Sequence, residues 1–157
     1  MLQVGNGMSV NEDRAHFSMW AMLSAPLIAG NDLRNMSKET LEILTNAEVL
    51  AVNQDRLGIQ AYRYKDEGNL ETWVKPMADG KWAVTFLNRG DQPISVEFDW
   101  KSNAFRDNAF NKSADFASSV FNIRNVWSAR DEGNTRRALK TTVPGRDVHM
   151  VVLTPAN

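Results

Sequence analysis

The sequence predicts two architectures in tandem, an α/β segment over residues 1–57 and an antiparallel β-sandwich over residues 58–157. Before Gly58 the apolar residues recur mostly at helical spacing, and after it they alternate with polar ones. Turn pairs (Gly68-Asn69, Asp79-Gly80, Gly90-Asp91 and Pro144-Gly145) punctuate the second part at the short intervals of a sandwich.

Met1-Leu2-Gln3-Val4 reads as the end of a strand and Gly5-Asn6-Gly7 as the turn after it. In Val10–Ser24, the residues Phe17, Trp20, Ala21 and Ser24 fall on one helix face. Ser9 or Asn11 is placed to cap that helix, Glu12 and Asp13 suit the positive end of its dipole, and Pro26 stops it. Pro26-Leu27-Ile28-Ala29-Gly30 is a short, almost wholly apolar run closed by Asn31-Asp32, the pattern of a strand buried on both faces. Ser37 caps a second helix through Leu44, and Thr45-Asn46-Ala47-Glu48 fits a capping box for a third, Ala47–Asn53. Strand, helix, strand, helix is the order of a parallel α/β unit. Two such units leave strand edges open and an apolar face uncovered. The segment is therefore expected to pack on the β domain, on a second copy of the chain, or on a further stretch of polypeptide.

The strands expected after Gly58 are Gln60–Tyr64, Glu71–Pro76, Trp82–Asn88, Ile94–Asp99, Val120–Ser128, Arg137–Val143 and Val148–Thr154. Lys101–Ser119 is polar and rich in Asn and Ser, and is expected to be a loop.

At 157 residues the chain can bury a core without disulfides. Its 43% hydrophobic and 24% charged residues place it among ordinary globular proteins. A net charge of -1 gives no single-sign field to draw nucleic acid or an anionic membrane. With no cysteine, disulfides, thiolate metal sites and a cysteine nucleophile are excluded. No basic stretch followed by an apolar one stands at the start, and no apolar run is long enough to span a bilayer.

Chemistry-bearing residues are few. His16, near the polar face of the first helix, and His149, at the start of the last strand, share no ligand spacing with carboxylates and read as surface or structural histidines. Asp131-Glu132 reads as a solvated turn, because adjacent side chains do not converge on one substrate atom, and Arg136-Arg137 as a solvated strand start. Gly5-Asn6-Gly7 is too short for a phosphate loop. Trp73, Trp82 and Trp127 read as core, while Trp100, at a strand end, is open between core and an exposed sugar platform. Asn31-Asp32-Leu33-Arg34 and Asn53-Gln54-Asp55-Arg56-Leu57-Gly58 are polar clusters at element ends, where helix and loop capping is weighed against a functional role.

Taken together, Met1-Leu2-Gln3-Val4-Gly5-Asn6, Phe17-Ser18-Met19-Trp20-Ala21, Ala25-Pro26-Leu27-Ile28-Ala29-Gly30-Asn31-Asp32-Leu33-Arg34 and Val52-Asn53-Gln54-Asp55-Arg56-Leu57-Gly58 resemble the C-terminal part of the α-galactosidases, family 27 of the glycoside hydrolases. Asn125-Val126-Trp127-Ser128 and His149-Met150-Val151-Val152-Leu153-Thr154-Pro155 extend the resemblance into the β domain, and Lys101–Ser119 matches poorly. The resemblance implies the C-terminal remnant of a (β/α)8 barrel followed by an antiparallel β-sandwich. Leu2–Val4 would end barrel strand seven, and Leu27–Ala29 would be strand eight.

The family hydrolyses terminal α-D-galactosides with retention, using one Asp as nucleophile and another as acid and base, roughly 5 Å apart. By the resemblance both lie upstream of this chain, so it implies no catalytic residue here and an inactive chain in isolation. Met1 matches a methionine that lines the sugar pocket. The resemblance implies no cofactor and no metal. The implied partners are an α-galactoside, the upstream barrel segment and a further copy in a homo-oligomer, with neither nucleic acid nor membrane. The missing cysteines of animal and plant members lean toward a bacterial source. A secreted or periplasmic parent is expected. Two other readings stand beside this one: a non-catalytic β-sandwich module that binds sugar or a partner, and a related specificity such as α-N-acetylgalactosaminidase or β-L-arabinopyranosidase.

Overall fold

Ser9 starts the first helix of the computed structural model, which describes residues 1–156. Its hydroxyl accepts from the Glu12 N–H, and the Glu12 carboxylate accepts from the Ser9 N–H over 2.9 Å, so two otherwise orphaned donors are satisfied reciprocally. This helix, α1 (Val10–Met22), buries Asp13, Ala15, Phe17, Ser18, Ala21 and Met22. It ends before Ser24, which sits in the left-handed region at φ 51, so the turn and not Pro26 terminates it. Ser37 caps α2 (Lys38–Leu44). For α3 (Ala47–Asn53) the cap is Asn46 rather than Thr45: its side chain accepts from Glu48 N–H and Val49 N–H, while the Thr45 hydroxyl turns back to the Leu41 carbonyl.

The two expected barrel strands form no ladder. Met1–Gln3 and Leu27–Ala29 lie outside any strand, Val4 begins a turn, and one backbone bond joins the two stretches, Leu2 N–H to the Ile28 carbonyl at 2.8 Å. Stretches of three or four residues without neighbours on either edge do not make a sheet.

Among the described residues ten strands follow: β1 (Tyr62–Glu67), β2 (Leu70–Pro76), β3 (Trp82–Asn88), β4 (Ile94–Phe98), β5 (Ala104–Asp107), β6 (Lys112–Asp115), β7 (Phe121–Asn125), β8 (Arg130–Asn134), β9 (Leu139–Val143) and β10 (Val148–Pro155). Six form one sheet in the order β1-β2-β3-β10-β7-β8, opposed by the pair β4-β9 and the hairpin β5-β6, all antiparallel. β1 begins later than the expected Gln60 because Ala61 N–H is bound by the Met22 carbonyl, at 2.9 Å. Lys101–Ser119 is not a loop. It carries β5 and β6, whose Phe105 and Ala114 are buried in the sandwich, followed by buried Phe116. The expected turn at Asp131-Glu132 is strand β8, and the expected Val120–Ser128 and Arg137–Val143 shorten to β7 and β9.

Alternation on β3 explains the architecture. Trp82, Val84 and Phe86 face the sandwich interior, and Ala83 faces the helices. On β10, Val151 and Leu153 face inward, and Met150 faces the helices. The inner core gathers Phe98, Trp100, Phe105, Phe116 and Phe121, with Trp100 fully buried at 4.8 Å from Phe98 and 5.5 Å from Phe116, edge to face. Trp100 is therefore core and not a platform. The outer core seats Phe17, Ala21 and Met22 of α1 and Val49 and Val52 of α3 on the sheet. Of the three coverings expected for the α/β segment, the sheet supplies one.

Candidate functional site

Leu2 and Val4 are buried under α1, which leaves Met1 and Gln3 facing outward. Gln3 N–H donates to His16 Nε2 at 3.2 Å, fixing the stretch to the helix. A Cβ on Gly30 would stand 2.5 Å from the Leu2 carbonyl oxygen and 3.5 Å from Met1 Cβ, so only glycine lets the two stretches approach. Met1 at 71% exposure and Ile28 at 57% lie on this edge, and Leu33 at 66% follows in the loop. Single exposed apolar residues are unremarkable, but two on adjoining backbone outside any sheet form a surface suited to cover by more polypeptide.

Asn31 and Asp32 continue from the edge. Asp32 does not cap α2. Its two carboxylate oxygens accept from the Arg34 guanidinium at 3.0 and 3.1 Å, and Oδ1 also accepts the Arg34 N–H. These bonds hold its carboxyl below the usual carboxylate range. An ionised, paired and exposed carboxylate is suited to charge recognition, not to donating a proton.

The second polar cluster is a joint. Asn53 Nδ2 donates to the Ala25 carbonyl at 2.9 Å. Both Asp55 carboxylate oxygens accept from Ala78 N–H, at 3.0 and 3.1 Å, and Arg56 reaches Asp79 at 2.5 Å. It ties the end of α3 to the β2–β3 connection.

The histidines are structural. His16 lies 5.3 Å from the Trp20 ring, and its burial lowers its pKa, which suits a neutral ring accepting from Gln3. His149 Nε2 meets Glu132 at 3.0 Å across the sheet, and Glu132 also accepts from Asn125 Nδ2 at 2.9 Å. Asp131 pairs with Arg124, which also pairs with Glu48 of α3. Arg136 and Arg137 sit exposed in the turn before β9. Trp82 is buried, and Trp73 and Trp127 are half-buried with their indole N–H groups given to Glu71 and Ser18 at 2.8 and 2.9 Å.

The burial of three charged residues escaped the sequence reading. Glu71 is buried and accepts from Arg63 and Trp73, with Arg89 at 3.3 Å. Fully buried Lys75 donates to Ser24 Oγ at 2.5 Å and the Ala21 carbonyl at 3.4 Å. Asp13 is buried in the first turn of α1, where its Oδ2 accepts from Gly5 N–H at 3.0 Å. A signal existed for Lys75, which interrupts the apolar run Trp73-Val74-Lys75-Pro76-Met77 on a strand. None existed for Asp13, since acidic residues in a first helical turn are ordinarily solvated.

Two family models match this chain. The model of the alpha galactosidase C-terminal beta sandwich domain matches residues 67–153, and that of alpha galactosidase A matches residues 1–55. Alpha-galactosidase A of Cellvibrio japonicus is 48% identical over 155 residues, covering 99% of this chain and 38% of that protein. The alpha-galactosidase of Coffea arabica is 38% identical over 156 residues, covering 99% of this chain and 39% of its own length. The chain thus spans about two fifths of these relatives, and they come from a bacterium and a plant alike, so the lack of cysteine does not establish the source. The crystal structure of alpha-galactosidase I from Mortierella vinacea superposes with a TM-score of 0.84 at 31% identity, over 98% of this chain and 38% of that one. With more than half of its residues matched by the sandwich-domain model and nearly all aligned to these relatives, the chain belongs to the α-galactosidase family, glycoside hydrolase family 27.

Proposed function

We propose that the protein to which this chain belongs hydrolyses terminal α-D-galactosides with retention of configuration, and that this chain supplies its last strand–helix units and its C-terminal sandwich. The observation that carries the reading is the Met1–Gly30 edge: two adjoining stretches joined by one backbone bond and outside any strand ladder, with exposed Met1 and Ile28. They have the form of two neighbouring strands of a sheet whose remainder is contributed by other polypeptide. In this reading Met1 lines the sugar pocket, and the nucleophile and acid–base carboxylates come from upstream of it. Residues 1–57 are then the end of the catalytic barrel and 58–157 its supporting sandwich. The absence of cysteine supports a bacterial source.

The test is hydrolysis of an aryl α-D-galactoside by the purified chain, alone and mixed with the corresponding upstream segment of the Cellvibrio relative. The expected result is no turnover alone and turnover on mixing. Turnover by the chain alone that survives repurification overturns the placement of the carboxylates. Mixing that yields a folded complex without α-galactosidase activity overturns the substrate. Light scattering separates a second occupant of the edge: a concentration-dependent dimer of the chain alone would mean that another copy covers it.

A further inference from the structure

Gln3 and Gly5, two residues apart, both give their N–H groups to α1, to His16 Nε2 at 3.2 Å and to Asp13 Oδ2 at 3.0 Å. The Leu2 N–H goes instead to the Ile28 carbonyl. Partners that switch from one residue to the next are those of a chain with a neighbour on each side. On one side here the neighbour is a helix, whose own carbonyls are spent on its internal bonds. Asp13 and His16, three residues apart on one face of α1, supply acceptors in their place. The Asp13 bond is charge-assisted while the carboxyl is ionised. Asp13 is 4% exposed, and its other oxygen, Oδ1, is buried with no partner among the described residues, so its bond to protein is the one to Gly5. Helix α2 closes the same point: a Cβ on Gly5, at φ 77, would stand 2.7 Å from Thr40 Cγ2.

We propose that Asp13 and His16 are positioning residues that fix the backbone from Gln3 to Gly5, and with it the place of Met1, and that the His16 arm lets go when its ring is protonated. The inference rests on the reading in which Met1 lines the sugar pocket; both residues act through Met1 and not on the sugar. The two arms answer pH differently. A carboxyl keeps an acceptor oxygen with or without its proton, so Asp13 holds Gly5 in either state. An imidazole accepts only while neutral, and protonation would set an N–H donor at Nε2 against the Gln3 N–H. Burial lowers the His16 pKa, Asp13 on its own helix acts to raise it, and the Met1 ammonium on the facing stretch acts to lower it. The Trp20 ring, 5.3 Å away, carries no charge. Release therefore comes as pH falls below the ordinary histidine value of about 6.5.

The test has two arms. In the chain alone, the Gln3 amide is followed by NMR while His16 titrates. The Gln3 amide is expected to shift with the midpoint of the ring, and in His16→Gln, whose side-chain oxygen accepts at any pH, to stay still through that range. Asp13→Ala is expected to speed hydrogen exchange at Gly5, and Asp13→Asn, which keeps an acceptor oxygen, to restore it. A Gln3 amide that ignores the ring, or a Gly5 amide that ignores Asp13→Ala, overturns the hold. In the chain mixed with the upstream segment of the Cellvibrio relative, His16→Ala is expected to raise KM for an aryl α-D-galactoside about fivefold, the loss of one ordinary hydrogen bond, with kcat little changed. His16→Gln is expected to restore KM, and acidification to raise KM in the parent more than in His16→Gln. Equal KM in His16→Ala and parent, or equal acid responses in parent and His16→Gln, overturns the positioning role. A folded mixture that hydrolyses no α-galactoside overturns the sugar-pocket reading, while the amide titration still decides the hold itself.

Discussion

Lys75 shows how one side chain is held against its own chemistry. It sits on β2 under the C-terminal turn of α1, fully buried, with its ammonium given to Ser24 Oγ and the Ala21 carbonyl. Burial pushes its pKa down to about 8, and Asp55 acts weakly in the opposite direction. The unfolded chain keeps lysine near 10.4. Between those two values the unfolded state binds the extra proton, so stability rises with pH from about 8 to about 10.4 and is flat below. Urea unfolding of the parent and of Lys75→Met across that range should show a rising difference in the parent that the variant lacks. Parallel curves would mean that the ammonium is not desolvated. At the same scale Glu71 needs no such test to be understood, since two hydrogen-bond donors and a further Arg at 3.3 Å meet one buried carboxylate.

Among the elements, α3 depends on Asn46 twice. The Oδ1 atom caps the helix through Glu48 N–H and Val49 N–H, both at 3.0 Å, while Nδ2 donates to the Val126 carbonyl at 3.2 Å. One side chain therefore starts the helix and moors it to the end of β7. Asn46→Asp keeps the cap and loses the mooring. Asn46→Ala loses both, at a cost of about 2 kcal/mol, against about 1 kcal/mol for the aspartate. Equal losses in chemical denaturation would show that the Val126 bond contributes nothing. The element scale is also where the sequence was least legible. The three helices and β3 carry strong local signals: a capping residue with helical spacing for the helices, and a short, mostly apolar run bounded by turns for β3. β5, β6 and β8 do not. β5 and β6 each hold four residues with one fully inward side chain, Phe105 or Ala114, too few to set a period. β8 is an edge strand of Arg130-Asp131-Glu132-Gly133-Asn134, exposed along most of its length, whose charges guard an open edge while reading as a turn. Met1–Val4 and Leu27–Ala29 carry the composition of strands but lack the neighbours that would make them so. Of the candidate site, the Met1 and Asn31-Asp32 stretches were legible as motif. The approach of Gly30 to Leu2 and the stranded oxygen of Asp13 were not, because both depend on segments brought together by folding.

For the whole molecule, the six-stranded sheet is a shared wall. Its inner face completes the sandwich, and its outer face carries Ala83 and Met150 into contact with the helical core of Phe17, Ala21, Met22, Val49 and Val52. The Arg14–Asp147 pair, with Asp147 buried, and the Arg124–Glu48 pair fasten the two layers at separate points. Residues 1–57 thus have no second apolar surface of their own to rest on. Expressed without residues 58–157, they should give the far-ultraviolet circular dichroism of an unfolded chain. A cooperative helical melt from that piece would show that the helices are self-sufficient.

The double covering of β3 and β10 has a consequence in time as well as in energy. Their amides are hydrogen-bonded to neighbours on both sides and screened from water by a full layer above and below. Such protons leave only when the molecule opens as a whole, whereas those of β8, with one neighbour and exposed side chains, leave by local fraying. In deuterated solvent the two central strands would keep their protons longest, and the rate at which they lose them would report the global unfolding of helical layer and sandwich together.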